Sequence, residues 1–125
     1  MFSKLALIAV LGAGGALARY GLSGLVYRIT GGSFPFGTFV VNIIGCFCFG
    51  LIWPLAEERL LISSNMRMII LVGFMGSFTT FSSLIFETSE LMRDSQWLLA
   101  LANMGGQVIV GLAALYLGMM IGRSV

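Results

Sequence analysis

A chain of 125 residues that is 58% hydrophobic and only 10% charged, with a mean hydropathy of +1.02, cannot expose most of its surface to water; a soluble domain carries roughly 25% charged residues. The formal net charge of +2 is too small and too scattered for nucleic-acid binding, and the absence of histidine removes the commonest metal ligand and proton shuttle. The chain reads as an all-α, multi-pass protein of the cell membrane. A span needs about 20 apolar residues, so this length holds four, and four thin helices enclose so little interior that an oligomer is expected.

The first span is expected over residues 4–27, opened by Lys4 and interrupted only by Arg19. Lys4 ahead of an apolar run imitates a cleavable leader. The run continues past Arg19 with no polar mature domain after it, so it reads as a retained helix. Residues 28–35 gather Gly31, Gly32, Ser33 and Pro35, which are turn formers. A second span is expected over 37–56, with Glu57, Glu58 and Arg59 marking its exit to water, a third over 66–92 and a fourth over 97–121. The whole is one transmembrane domain. Trp53 and Trp97 fall near span ends, where aromatic rings favour the interface. Cys46 and Cys48 are two apart on a helix, so they point to nearly opposite faces and read as small packing residues. Gly14 with Ala18, Cys46 with Gly50 and Gly118 with Gly122 have the spacing that lets helices approach closely in lipid.

The third span carries the exception to this greasy pattern. Residues 73–83 pack two glycines and five hydroxyls into a stretch that should cross hydrocarbon. Without water, a helix is interrupted only where its freed amides and carbonyls are buried in protein or line a path for something polar. A break there is expected to be the working part of a transport protein. Lys and Arg are almost balanced between the two sides: Lys4, Arg59, Arg67 and Arg123 on one, Arg28 and Arg93 on the other, with Arg19 inside a span. Orientation follows Lys/Arg excess, so a chain this balanced is compatible with insertion both ways and with an antiparallel dimer.

Other polar groups inside the spans recur in pairs four apart, which share a helical face: Thr38 with Asn42, Ser83 with Glu87, Asn103 with Gln107. Each pair alone could be an interhelical hydrogen bond. Three pairs beside a broken helix read as a track, with Thr80 and Ser82 adding hydroxyls at the break. The acids within the spans are Glu87 and Glu90, both near one end of the third, whereas cation paths usually show carboxylates at mid-membrane. Hydroxyls and an amide can donate to an anion, and Phe74, Phe78 and Phe81 recur at helical spacing with positive ring edges. Arg19 is costly in an apolar helix and is expected to be functional or paired.

The segment Gly73-Phe74-Met75-Gly76-Ser77-Phe78-Thr79-Thr80-Phe81-Ser82-Ser83 closely resembles the signature of the fluoride-channel family called Fluc or CrcB. Gly37-Thr38-Phe39-Val40-Val41-Asn42 with Gly45 is similar to that family's second-helix motif, and Gly15-Ala16-Leu17-Ala18-Arg19-Tyr20 to its first. The resemblance implies a four-helix subunit, its third helix broken near the middle, paired with an inverted copy to give two fluoride pores. It also implies a structural, untransported sodium ion between the two breaks, held by backbone carbonyls of Gly76 and Thr79. Phe81 would present a ring edge to fluoride, Asn42 would reach towards it, Thr38, Ser83 and Glu87 would fall on a polar track, and Arg19 would be the basic residue near the vestibule. Two positions depart from the pattern: Leu84 stands where a second phenylalanine is usual, and Gln107 where a small hydroxyl residue is expected. The first leaves open a heterodimer with a paralogous subunit beside the homodimer.

The expected function is therefore passive, fluoride-selective export through a lipid-embedded dimer. The alternative is a small four-helix multidrug or cation exporter of dual topology, which needs a deep carboxylate where the first helix offers Arg19. A membrane subunit that only assembles others would explain the packing glycines but not the break. An enzyme is not expected, because neither paired intramembrane aspartates nor an activated nucleophile is present.

Overall fold

The computed structural model describes residues 2–125. Four helical segments long and apolar enough to cross a membrane follow one another: Phe2–Thr30, Phe36–Glu57, Ser64–Arg93 and Trp97–Ser124. In hydrocarbon every backbone amide must be paired within its own segment, which is why uninterrupted apolar runs become helices. The first two are α1 (Phe2–Thr30) and α2 (Phe36–Glu57). The third segment is composite. Its first half, α3, starts as an α-helix over Ser64–Met68, widens to a π-helix over Ile69–Met75 and closes with Gly76–Phe78. Its second half is α4 (Phe81–Arg93), and the last span is α5 (Trp97–Ser124). Large apolar side chains such as Leu17, Val72, Leu101 and Ile109 lie exposed around the bundle, as expected of a surface that faces lipid.

Between α3 and α4 the backbone leaves the helix. Thr79 (φ −84°, ψ 160°) and Thr80 (φ −150°, ψ 115°) are both extended, a conformation that suits β-branched residues. Thr80 restarts the chain as an N-cap: its Oγ1 accepts the Ser83 N–H at 3.2 Å, satisfying one of the amides a helix start leaves unpaired. The turn after α1 uses Gly31 and Gly32 at φ 58° and 80°, a region closed to most side chains.

The tightest packing is the α2–α5 seam. A Cβ added at Gly50 would lie 2.0 Å from the Leu115 carbonyl oxygen, one at Gly118 2.2 Å from that of Phe47, and one at Gly122 2.6 Å from that of Leu51. These two helices therefore touch backbone to backbone, the contact that small residues permit in membranes. On the α1–α3 side the close approach is Gly15, whose added Cβ would meet the Phe74 carbonyl oxygen at 2.3 Å, whereas Gly14 meets only the Phe74 ring at 3.9 Å. The expected Gly14–Ala18 contact is thus displaced by one residue.

One end of the bundle ties all four spans together. Lys4 of α1 donates to Asn65 at the start of α3, Arg67 pairs with Glu57 of α2 and sits 5.0 Å over the Trp53 ring, and Arg123 of α5 pairs with Glu58. The N-terminal end of α1, the α2–α3 loop and the C-terminal end of α5 thus share one membrane face. At the opposite end, the ion pair among the described residues is a local one, Arg93 with Glu90.

Candidate functional site

The site is assembled around the amide of Asn42, which α2 presents to the break. Gly45 makes this approach possible, since a Cβ there would overlap the Thr79 methyl at 2.0 Å. In an unbroken helix the Thr80 N–H would bond to the Gly76 carbonyl. Here it is donated instead to Asn42 Oδ1 at 2.8 Å, and Asn42 Nδ2 returns a bond to Thr80 O at 3.1 Å. Asn42 therefore substitutes for the helical acceptor that the Thr80 N–H has lost, and the Gly76 carbonyl is left without its helical donor. The Ser77 carbonyl, whose helical donor would be Phe81, receives Arg19 Nε at 3.1 Å. That contact gives Arg19 a role the sequence left open: it braces the break from α1.

From Asn42 a polar chain runs into the interface of α4 and α5. Asn42 Nδ2 donates to Gln107 Oε1 at 2.7 Å, Gln107 Nε2 to Asn103 Oδ1 at 2.8 Å, and Asn103 Nδ2 to Thr88 Oγ1 at 3.1 Å. Thr88 ends the chain by donating to the Leu84 carbonyl at 2.7 Å. Asn103 is fully buried, and Gln107 and Thr88 nearly so, so each needs the partner it has. Thr38, one turn from Asn42 on α2, donates to Glu87 Oε1 at 2.6 Å. The other carboxylate oxygen, Oε2, is buried and finds no hydrogen-bond partner among the described residues.

Two open spaces flank that single turn of α2. A cleft of about 380 Å³ is lined by Asn42, Gly76, Thr79, Thr80, Phe81 and Gln107, among others. A second space of about 390 Å³ lies against Ser23, Tyr27, Ser33, Thr38 and Glu87. The first is walled mainly by apolar side chains such as Phe49, Leu71 and Leu115, with polar groups at Asn42, Thr79, Thr80 and Gln107, and Thr38 and Asn42 lie four residues, about 6 Å along the helix, apart between the two spaces.

The remaining sequence candidates lie as follows. Ser83 takes the Thr80 hydroxyl at 3.0 Å, and Ser82 is exposed with its Oγ 3.3 Å from the same hydroxyl. Phe81 is 75% exposed on the cleft side, while Leu84 is buried. The aromatic stripe does not form. Phe74 and Phe78 stack at 5.9 Å, but the extended residues between them and Phe81 change the helical phase, so Phe81 leaves their line. Thr88, which no sequence pattern singled out, proves to be a member of the polar chain.

The profile of the CrcB-like protein family (Camphor Resistance, CrcB) matches residues 6–119. The chain belongs to the CrcB family. Among CrcB relatives, a protein of Nitrosococcus oceani named "Fluoride-specific ion channel FluC" is 57% identical over the full length of both chains, and one of the same name from Solidesulfovibrio magneticus is 54% identical, also over both full lengths. A third, from Nitratidesulfovibrio vulgaris (strain Miyazaki F), is 50% identical over 98% of each chain. With its four apolar helices, this CrcB chain is a multi-pass membrane protein of the bacterial plasma membrane.

Proposed function

We propose that this chain is a passive, fluoride-selective channel, an activity of transport rather than catalysis. The observation that carries the reading is the break at Thr79–Thr80, held open by Asn42 against a cleft that hydroxyls, an amide and an aromatic ring share. Fluoride is small and strongly hydrated, so shedding its water requires donors fixed in advance. Neutral donors do this without trapping the ion behind a full positive charge. The relatives that carry the fluoride-channel name support the same assignment over the whole chain length.

In this reading fluoride passes Glu87, Thr38 and Ser83, then Asn42, Thr80, Ser82 and the Phe81 ring edge, while Arg19 holds the break. The large exposure of Phe81 supports pairing with an inverted copy of the same chain, each dimer having two pores. The Gly76 and Thr79 carbonyls would hold the sodium ion between the two breaks. Carbonyl oxygens suit a hard cation, and Gly76, freed of its helical donor, lines the open cleft with Thr79. Bound there, sodium would supply fixed positive charge that keeps the two breaks together. A multidrug or cation exporter would need an acid where α1 carries Arg19.

The test is release of fluoride from liposomes loaded with potassium fluoride, started by a potassium ionophore and followed with an electrode. The purified chain alone should release fluoride and not chloride, and omission of sodium should slow it. Equal release of chloride would reject selectivity, sodium indifference would reject the central cation, and silence of the chain alone would reject the homodimer. Phe81→Ile, which keeps bulk but removes the positive ring edge, should lower the fluoride rate about tenfold.

A further inference from the structure

The polar chain has only one permitted direction. The Thr80 N–H can only donate, so the Asn42 atom facing it at 2.8 Å must be Oδ1. Asn42 Nδ2 is then the donor to Gln107, which must answer with Oε1, and Gln107 must turn Nε2 to Asn103 Oδ1. Asn103 in turn gives Nδ2 to Thr88, whose hydroxyl proton goes to the Leu84 carbonyl. Reversing Asn42 or Gln107 would set nitrogen against nitrogen or oxygen against oxygen at both of its contacts, and reversing Asn103 would do so against Gln107. The chain therefore begins on a backbone N–H, ends on a backbone carbonyl, and is ordered throughout.

A consequence follows for Asn42. An amide has two N–H donors, and here one is given to Thr80 O and the other to Gln107 Oε1. Neither is free for an anion. The bond to Thr80 belongs to the break itself, so the donor that can be released is the one held by Gln107. We propose that Gln107 is a latch on the pore amide: its side-chain carbonyl competes with the permeant anion for Asn42 Nδ2, and Asn103 and Thr88 hold it in the competing position. This rests on the fluoride reading above and adds a residue that sets how readily the ion is taken up. A site competent only when the latch is open binds with its intrinsic affinity reduced by the open fraction.

The test is fluoride efflux measured as a function of fluoride concentration for the unmutated chain, Gln107→Ser and Thr88→Ala. Serine is too short to reach Asn42, so the latch is removed. The half-saturating fluoride concentration should then fall about three- to tenfold, the weight of one ordinary hydrogen bond, with the maximal rate retained. Thr88→Ala loosens the far end of the chain and should move the same quantity in the same direction by less. A merely structural Gln107 would instead lower the maximal rate and the melting temperature without improving half-saturation. An unchanged or raised half-saturating concentration in Gln107→Ser overturns the proposal; should that variant fail to elute like the unmutated protein, Thr88→Ala decides by the same criterion. Failure of the unmutated chain to release any fluoride would reject the proposed function, a result distinct from loss of the latch.

Discussion

Asn42→Asp is expected to cut fluoride efflux by at least about a hundredfold, because the buried Gln107 carbonyl loses its donor and a carboxylate replaces the neutral amide at the break. Thr80 O and Gln107 Oε1 are both now paired with Asn42 Nδ2, but Thr80 O, as the N-cap carbonyl of α4, also takes the first intrahelical N–H. Aspartate would keep the bond from the Thr80 N–H but set a carboxylate oxygen against those two oxygens. It would also bring like charge to the one turn of α2 that separates the two open spaces. The measurement is the initial rate of electrode-detected efflux at matched protein incorporation. A rate indistinguishable from that of the unmutated chain would remove Asn42 from the path.

Gly50→Ala is expected to have the largest effect on the fold. The added methyl would fall 2.0 Å from the Leu115 carbonyl oxygen and 2.9 Å from its carbon. Both are backbone atoms of α5, so no rotamer change can relieve the overlap and the two helices must separate. Overpacking a close contact costs about 1–3 kcal/mol and occasionally more, and a clash with backbone belongs at the upper end. The same separation would loosen the Gly118 and Gly122 contacts along the seam. Size-exclusion elution and thermal melting in detergent should show lost or strongly destabilised protein. By contrast, alanine at Gly14, where the nearest atoms lie at 3.9 Å, should behave like the unmutated chain.

The four spans and the interruption in the third are legible from the sequence because hydrocarbon leaves a backbone few choices. Long apolar runs must be helical, and a glycine- and hydroxyl-rich stretch inside one must have a reason to be there. Asn42 stands out for the same cause, as an amide in an otherwise apolar helix. Its partners do not. That Asn42 meets Gln107 depends on α2 and α5 lying in backbone contact, which spacing within either helix cannot disclose. The partner of Arg19 is a carbonyl, and every residue has one, so no residue type pointed to Ser77. Gly15 rather than Gly14 faces Phe74 because α1 is apolar all round, and such a helix gives no amphipathic stripe from which to read its rotation. The π-helical turn over Ile69–Met75 likewise leaves no mark in residue type. Thr88 was hidden by its bond to the Leu84 carbonyl, the local back-bond that threonine makes in any helix.

The seam of carbonyl-to-glycine contacts has a bearing on speed. Asn42 rides on one of its helices and Gln107 on the other, and with no slack at Gly50, Gly118 and Gly122 neither helix can slide past its neighbour. The spacing of the two amides is thereby frozen, and releasing an N–H to a passing anion is a matter of swivelling a terminal amide. Such swivels belong to the fast end of protein motion, far quicker than the microsecond-to-millisecond rocking of whole elements. On the channel reading proposed above, the expected pacing step is therefore the ion shedding its water rather than a rearrangement of the scaffold.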